Sequence, residues 1–408
     1  MVYANEKRGK ISNFFYLPRN AWILTSTSAV WSIGSAMASP YQTLFFTSLG
    51  ASPFTIGLLV GYGTAVTIVA MLVGGYIADT WGRRRVVITF SWVSVFSAFL
   101  YFLLNSATLI VVPLTLASIS SVYNPAFNSI MMDSIDQSDR VRGFSVFNAI
   151  NTFPSVFAPT FGGILMTYFG ILEGVKLAYL GSALFGVIGV SLRTMKLGET
   201  YRAPNTARSK NSLFFYIKNS LVSAFDSTKR SSTLVKKLLV YVTLAGIGTG
   251  LTSPYVSIYV VDELKISPIA YSFVVDLAGV TTVALMLGII ILIQRMGAKK
   301  STMVASIAAP VSNVMFAQAK TMDELLEWGV TGAVATALQT PSLATMEADS
   351  IPKDERGKIL AMFSILPASV SLPSQVAAGF LYSSLAPVSP FVISLLPFGL
   401  AAFILSTA

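Results

Sequence analysis

The sequence predicts an all-α integral membrane protein with twelve transmembrane helices in two pseudo-symmetric six-helix bundles. Three features support this prediction: an apolar composition, long apolar segments, and landmarks that recur about half a chain apart. Of the 408 residues, 54% are hydrophobic and 11% are charged, whereas soluble domains carry about 25% charged residues. This composition indicates a chain that lies in a lipid bilayer.

The apolar segments are long enough to cross a membrane as helices, because about 20 helical residues span the hydrocarbon core. Membrane-spanning strands would give segments of about ten residues with alternating polarity, and the sequence shows no such alternation. We expect no cleaved signal peptide, since eleven further spans follow the first. The predicted spans are residues 22–47, 54–78, 86–105, 108–132, 143–168, 174–193, 238–261, 268–293, 301–319, 325–348, 357–383 and 387–406.

The basic residues predict the orientation. If the N-terminus is cytoplasmic, the connections on that side carry 25 of the 28 Lys and Arg, and only Lys176, Lys265 and Lys320 lie outside. Cytoplasmic connections retain positive charge, so we predict a multi-pass protein of the cell membrane with both termini in the cytoplasm. The net charge of +10 then reflects topology and attraction to anionic lipid headgroups, and we expect no nucleic-acid partner.

The longest connection between spans divides the chain. We predict an N-terminal bundle at 1–193, a cytoplasmic basic linker at 194–237 and a C-terminal bundle at 238–408. Within the linker, Leu213 and Ile217 begin a four-residue spacing of apolar side chains that continues to Phe225. This spacing predicts a short amphipathic helix on the inner membrane face; a loosely ordered linker is the alternative.

Several landmarks occur twice, which predicts duplicated six-helix units in parallel orientation. The stretch IGSAMASPYQT at residues 33–43 recurs as IGTGLTSPYVS at residues 247–257. Ser52-Pro53 recurs as Ser267-Pro268, Pro125 recurs as Pro341, and the DSI triplet at residues 133–135 recurs at residues 349–351.

Four prolines lie at matching positions in the two halves. Pro40 and Pro254 lie in the outer parts of spans 1 and 7, and Pro125 and Pro341 lie in the inner parts of spans 4 and 10. Because proline removes a backbone hydrogen bond and bends a membrane helix, these positions predict two opposed constrictions, or gates, around a central cavity. The alternative is plain tolerance of proline in membrane helices.

The connection between spans 2 and 3 carries the sequence GGYIADTWGRRR. Its pattern G-x-x-x-D-x-x-G-R-R resembles the signature loop of the major facilitator superfamily, with Gly75, Asp79, Gly82, Arg83 and Arg84 in the matching positions. The resemblance implies the fold of that family and secondary transport by alternating access. It also implies a conformational latch at this loop.

A second charged pattern occurs once in each half. Asp133 is followed by Arg140, and Asp349 is followed by Arg356, each pair bridging two spans on the inner face. These pairs resemble the inner charge cluster that holds the outward-facing state of such transporters, and we assign them to the latch. Positive charge flanking the spans is the alternative explanation for the arginines, but it does not explain the repeated aspartates.

The chain contains no cysteine and no histidine, which excludes disulfides, thiolate nucleophiles and the usual zinc or haem ligands. We expect no cofactor and no metal. An intramembrane enzyme would need a cluster of acid–base or nucleophilic groups at one depth. The spans hold no such cluster, so an enzyme is not predicted.

Asp276 is the only acidic residue well inside a predicted span, and no basic residue lies at comparable depth in the sequence. Since a carboxyl group inside the membrane is costly and commonly functional, we predict Asp276 as the proton-coupling group. Glu347, nearer the inner end of span 10, is a second candidate. The alternative is a structural Asp276 that is protonated and hydrogen-bonded to a neighbouring Tyr or Ser.

The absence of deep basic residues argues against phosphate, sugar phosphates and organic dianions as substrates. Neutral polar and aromatic groups, which suit a neutral metabolite or an amphipathic compound, are the predicted substrate-cavity residues. Any one of them could instead join helices. They are Trp31, Tyr41, Gln42, Tyr123, Asn124, Asn128, Asn148, Asn151, Tyr255, Gln339 and Gln375.

In span 5, Pro159-x-x-Gly162-Gly163 resembles the antiporter motif of drug:proton antiporters, G-P-x-x-G-G, with Ala158 in place of the first glycine. This resemblance favours proton-coupled export of an amphipathic or cationic small molecule. Proton-coupled uptake of a small neutral metabolite such as a sugar, or lipid flipping on the same fold, are the alternatives. We expect a monomer surrounded by membrane lipids.

Overall fold

The computed structural model of the protein describes residues 16–136, 139–200, 213–352 and 355–407. Within these residues the chain is helical and contains no strand. Twelve helical passes cross the membrane, and one further helix, α7, joins the two bundles of six. The helices are α1 (Arg19–Ala38 and Gln42–Ser48), α2 (Pro53–Trp81), α3 (Arg83–Phe102), α4 (Ala107–Ser134), α5 (Arg140–Ser155 and 158–169), α6 (171–196), α7 (Leu213–Arg230), α8 (Thr233–Glu263), α9 (Pro268–Met296), α10 (Ala298–Gln318), α11 (Met322–Ser350), α12 (Arg356–Ser384) and α13 (Ser389–Ile393 and Leu395–Ser406).

Eight segments of the described chain could cross a membrane by length and composition alone. One of them, Arg142–Lys196, holds two passes, because the chain reverses at Gly170, where φ is 78°. The other three passes, α1, α10 and α11, complete the twelve that the sequence predicts. Each predicted span overlaps one of these passes, and the spans 86–105, 301–319 and 387–406 extend one to three residues beyond the helix ends.

We call the side with the basic connections the inner side and the opposite side the outer side. On the outer side the helices are joined by very short segments, none of which is longer than four residues. These segments are 49–52, 103–106, Gly170, 264–267, 319–321 and 385–388.

The two halves repeat the same local structures at helix ends. The side chains of Ser52 and Ser267 accept hydrogen bonds from the third residue of α2 and of α9, and proline follows each serine. Gly82 and Gly297 end the same two helices with φ of 90° and 83°. Since these residues recur at a spacing of 215, the duplication extends from sequence to backbone conformation.

The outer connections before α2 and α9 also match. Gly50 has a φ of 92°, and Lys265, which lies 215 residues later, has a φ of 58°. Lys265 is the only residue other than glycine with positive φ in the described part of the chain. The repeated turn therefore keeps its left-handed conformation even where a side chain makes that conformation unfavourable.

The four repeated prolines do not all interrupt the helices in which they lie. Pro40 and Pro254 lie in the 3-10 turns Ser39–Tyr41 and Ser253–Tyr255, which interrupt α1 and α8. Helix α4 is interrupted at residues 121–122, where the ring of Pro125 excludes the carbonyl four residues before it. By contrast, α11 runs without interruption through Pro341, so the interruption is not repeated in the second half.

Helix α7 occupies part of the predicted linker. It packs against α12 and the inner part of α2, and Ala224 and Ser227 are buried there. Phe225 remains 61% exposed, so an apolar group also faces away from the helices of the bundle. The helix predicted in the linker is therefore present, while the three-part division at 193 and 237 stays a prediction.

The two halves are joined on the outer side and separate on the inner side. One buried hydrophobic cluster contains Tyr41 and Phe45 from the first half together with Tyr255 and Tyr382 from the second. The clusters in the inner parts each contain residues of one half only. The described structure is therefore closed on the outer side and open on the inner side.

Candidate functional site

A cavity of about 490 Å³ lies between α2, α4 and α12. It lies inward of the outer hydrophobic cluster, where the two halves diverge. No charged side chain lines it within the described residues. Its polar lining consists of Gln42, Thr64, Thr67, Ser118, Asn124, Asn128 and Ser364.

Three of the predicted cavity residues, Gln42, Asn124 and Asn128, line this cavity. At its outer edge, the hydroxyl of Thr64 donates a hydrogen bond of 3.1 Å to Oε1 of Gln375 across the two halves. These side chains offer amide and hydroxyl groups to a solute, while the remaining wall is aliphatic.

Other predicted cavity residues lie elsewhere in the inner half. Asn148 is exposed, and Asn151 donates a hydrogen bond of 2.8 Å to the carbonyl of Phe147 one turn before it. Gln339 donates a hydrogen bond of 2.7 Å to the hydroxyl of Tyr241. The last two side chains thus have partners within their own bundle.

Tyr41 and Tyr255, which the sequence predicts to line the cavity, are completely buried in the outer cluster in this conformation and do not line it. The hydroxyl of Tyr41 donates a hydrogen bond of 2.9 Å to the carbonyl of Pro159 in α5. The hydroxyl of Tyr255 donates one of 3.0 Å to the carbonyl of Pro53 at the start of α2. The bends at Pro40 and Pro254 bring these rings into the closed outer side.

The two halves touch closely along two helix pairs, α5 with α9 and α2 with α12. A Cβ atom on Gly163 of α5 would lie 2.8 Å from the Ser272 hydroxyl of α9, and one on Gly379 of α12 would lie 2.8 Å from the Pro53 carbonyl of α2. Glycine allows this close approach of the helices. Gly163 and Gly379 are 216 residues apart, so the two contacts are related by the internal repeat.

Asp276 lies in the α5–α9 contact and its side chain is 93% buried, with 7% exposure. Its Oδ2 accepts a hydrogen bond from the hydroxyl of Thr160 in α5. Its Oδ1 is buried without a hydrogen-bond partner, and no lysine or arginine of the described chain forms an ion pair with it. The carboxyl group therefore joins the two halves through one hydroxyl and keeps one oxygen unsatisfied.

Glu347, the second acidic candidate, lies one turn before the inner end of α11. It is half-buried and forms no hydrogen bond or ion pair within the described residues. Unlike Asp276, it does not lie in a contact between the two halves.

The arginines after Gly82 bind within the N-terminal half. Arg83 forms an ion pair with Asp133 at the end of α4. Arg84 donates hydrogen bonds of 2.6 Å to the Leu197 carbonyl and 2.8 Å to the Thr194 carbonyl at the end of α6. The Arg83–Asp133 ion pair is therefore present while the inner side is open.

The other latch residues have few contacts in this conformation. Asp79 and Asp349 are exposed and form no hydrogen bond within the described residues. Gly75 lies in the last two turns of α2. Arg140 donates a hydrogen bond of 3.2 Å to the carbonyl of Met132, and Arg356 begins α12. The exposure of Asp79 leaves it available to a partner in another conformation.

Arg193 of α6 is a buried basic residue that the sequence did not predict, and its exposure is 5%. Its guanidinium donates hydrogen bonds to hydroxyls of Thr27 (3.2 Å), Ser91 (2.7 Å) and Ser28 (3.1 Å) and lies 5.6 Å from the centre of the Phe127 ring. Thr27 lies eight residues, about 12 Å, from the inner start of α1. In the sequence Arg193 lies at the end of a predicted span, where an arginine is expected at the membrane surface. The only sequence feature that indicated polar groups at the depth of the guanidinium is the hydroxyl-rich stretch LTSTS at residues 24–28.

The chain matches one protein family model and has the fold of several solved transporter structures. The family model described as Major Facilitator Superfamily matches residues 24–242 and 238–407. The solved structure of the nucleoside transporter NupG is 14% identical and superposes with a TM-score of 0.76, covering 95% of this chain and 99% of that one. The human organic anion transporter MFSD10 (TETRAN) is also 14% identical, with a TM-score of 0.67 and coverages of 95% and 99%.

Curated relatives match over shorter stretches. The uncharacterized MFS-type transporter YqjV of Bacillus subtilis is 25% identical over 203 residues, which are 47% of this chain and 46% of that protein. A protein of Planococcus maritimus named Na(+), Li(+), K(+)/H(+) antiporter is 30% identical over 135 residues, 32% of each chain. The chain thus matches about half the length of the first relative and a third of the second.

Proposed function

Because the chain belongs to the major facilitator superfamily and is a secondary transporter, we propose that it exports an amphipathic or cationic small molecule in exchange for protons. Asp276 is the proposed proton site. The observation that carries this proposal is the buried carboxyl group in the α5–α9 contact, with Thr160 on one oxygen and no partner on the other.

The position of Asp276 couples a proton to the conformation of the transporter. A charged carboxylate is costly in a buried contact without a countercharge, whereas water hydrates it once α5 and α9 separate. A proton bound from the outer side therefore favours closure of that side. Release of this proton toward the inner side, followed by return of the deprotonated form with substrate, gives an exchange.

Two further observations support antiport. The Planococcus maritimus relative is named as a cation/proton antiporter, and Pro159, Gly162 and Gly163 of the motif that resembles the drug:proton antiporters surround Thr160 in α5. We place the inner side in the cytoplasm because it carries the basic residues. In this proposal the protein acts as a monomer in the cell membrane.

Uptake of a small neutral solute together with protons is a second candidate function. It is favoured by the lining of the 490 Å³ cavity, which offers Gln42, Asn124 and Asn128 but no charged side chain among the described residues. Neutral hydrogen-bonding groups of this kind suit a neutral polar solute.

The test uses purified protein in liposomes with an imposed proton gradient, a pH-sensitive dye inside, and a panel of organic cations and neutral sugars. We expect an organic cation to move against the proton flow. Asp276→Asn should abolish gradient-driven transport and retain substrate exchange, which needs no net proton movement. Asp323→Asn, which changes an exposed carboxylate at the outer end of α11, is the matched control.

If Asp276→Asn keeps full gradient-driven accumulation, Asp276 is structural and the proposed coupling is wrong. If a neutral sugar accumulates in the direction of proton flow, the second candidate function replaces export.

A further inference from the structure

The guanidinium of Arg193 is a buried positive charge without an acidic partner in the described part of the chain. All three of its nitrogen atoms donate to neutral hydroxyl oxygens, on Thr27, Ser28 and Ser91. Hydroxyl groups satisfy the N–H donors but leave the charge uncompensated. Buried charges in proteins are normally paired, because an isolated ion loses most of its hydration energy.

A small cavity of about 30 Å³ lies directly beside this guanidinium, between α1, α3, α4 and α6. One water needs about 10–15 Å³ on the same measure, so the cavity has room for a monatomic ion or a few water molecules. Its small size favours a monatomic ion over larger polyatomic groups such as phosphate or sulfate.

The hydroxyl groups around this cavity can donate toward its centre. Ser28 and Ser91 accept hydrogen bonds from Arg193, which leaves their own protons free to donate. Ser94 and Tyr123 also line the cavity, and their hydroxyls form no hydrogen bond within the described residues. One cation and up to four O–H donors thus surround a space that no described carboxylate enters.

We propose that this cavity binds a monatomic inorganic anion, chloride, as the countercharge of Arg193. The fixed positive charge disfavours a cation, and the small volume favours a monatomic anion over polyatomic ones. The bound chloride would accept from the hydroxyls and neutralise the guanidinium, joining four helices of the N-terminal half. The site lies in the inner half of one bundle and is separate from Asp276 in the α5–α9 contact.

Chloride that binds only the folded protein raises its thermal stability by mass action. The first experiment therefore measures Tm of the purified protein in detergent while sodium chloride replaces sodium gluconate at constant ionic strength. We expect a saturable rise in Tm of about 2 °C or more.

The variant Arg193→Gln should lose this chloride-dependent rise while keeping its Tm in gluconate, since it removes the charge that attracts the anion. Lys196→Gln is the matched control, because Lys196 lies three residues later on α6 and is exposed. It should keep the full response. If the wild-type Tm does not depend on chloride, or if Arg193→Gln responds like Lys196→Gln, the proposal is wrong.

A second measurement covers the case in which Arg193→Gln does not fold. Crystals of the wild-type protein grown with sodium bromide should show anomalous scattering from bromide within hydrogen-bond range of the Arg193 guanidinium. A peak at that place supports the anion site. Electron density that is fitted by water and gives no anomalous signal overturns it.

Discussion

Gly61 faces Val376 across the α2–α12 contact, where a Cβ atom on the glycine would lie 3.2 Å from Cγ2 of the valine. The internal repeat places Asp276 at the position equivalent to Gly61 and Thr160 at the position equivalent to Val376. The two contacts are thus related by pseudo-symmetry but differ in chemistry at this position. The Gly61–Val376 pair is apolar, whereas the equivalent Asp276–Thr160 pair contains the buried carboxyl group.

This difference predicts the effect of removing the Thr160 hydroxyl. Thr160→Val leaves both oxygens of Asp276 without a partner, and an unsatisfied buried polar group costs about 1–3 kcal/mol. We expect the closed outer side to lose about tenfold in population. Since the chain contains no cysteine, spin labels on cysteines introduced at Leu103 and Leu385, exposed on opposite halves, can report the outer distance.

Thr160→Ser keeps the hydroxyl and is the control for this experiment. It should leave the distance distribution close to that of the wild type. Equal distributions in Thr160→Val and the wild type would show that the hydrogen bond does not contribute to closure.

The close approach of α5 and α9 predicts that a methyl group at Gly163 opens the outer side. In Gly163→Ala the new Cβ would lie 2.8 Å from the Ser272 hydroxyl and 3.0 Å from Cα of Ile269, so backbone must move. Overpacking of this kind costs about 1–3 kcal/mol, and the same label pair should report a longer outer distance. Gly399→Ala has no atom within 4 Å of the added carbon and should leave the distance unchanged.

Asp79 is exposed and without a described hydrogen-bond partner while the inner side is open. If it contacts the N-terminus of α12 when that side closes, as we predict, Asp79→Asn removes about 0.3–1 kcal/mol from the closed inner side only. The population should shift toward the inner-open form, by about two- to fivefold. Labels at Lys196 and Arg295, on the inner ends of α6 and α9, measure this shift.

Asp323→Asn on the outer side is the control for the Asp79 variant. A latch at Asp79 is contradicted if both variants give the same inner distance distribution as the wild type.

The left-handed conformation of Lys265 predicts a stabilising substitution. A non-glycine residue with φ near 58° is strained by about 1–2 kcal/mol, and Lys265→Gly relieves this strain, so Tm should rise. Gly50→Ala imposes the same strain on the equivalent turn, although nothing lies within 4 Å of the added carbon, and Tm should fall. Opposite changes would show that packing, rather than backbone conformation, controls these turns.

Sequence reasoning predicted the twelve helices because span length and the repeat are properties of contiguous residues. Ser52-Pro53 and Ser267-Pro268 begin helices in the structure as local capping rules require. The burial of Tyr41 and Tyr255 was not predictable in this way, because it depends on which side of the transporter is closed. A sequence is common to all conformations and does not specify one of them.

Arg193 shows a second reason why the site was only partly predicted. Its position three residues before the end of α6 suggests a surface arginine, but its long side chain reaches the hydroxyls of Ser28 and Ser91 on two other helices. Contacts between helices that are far apart in sequence carry no periodic signal. The partnership of Thr160 with Asp276, 116 residues apart, was missed for the same reason.

Because the outer connections are short, the described chain has little polypeptide outside the membrane that could bind a solute or a partner. With at most four residues between helices on that side, the described chain offers no polypeptide there for a lid, a docking domain or an antibody. Discrimination between solutes must therefore take place after a solute has entered between the helices. An epitope for immunodetection on that face would have to be inserted, and Gly50 and Gly170, where no atom lies within 4 Å of an added Cβ atom, are positions open to this.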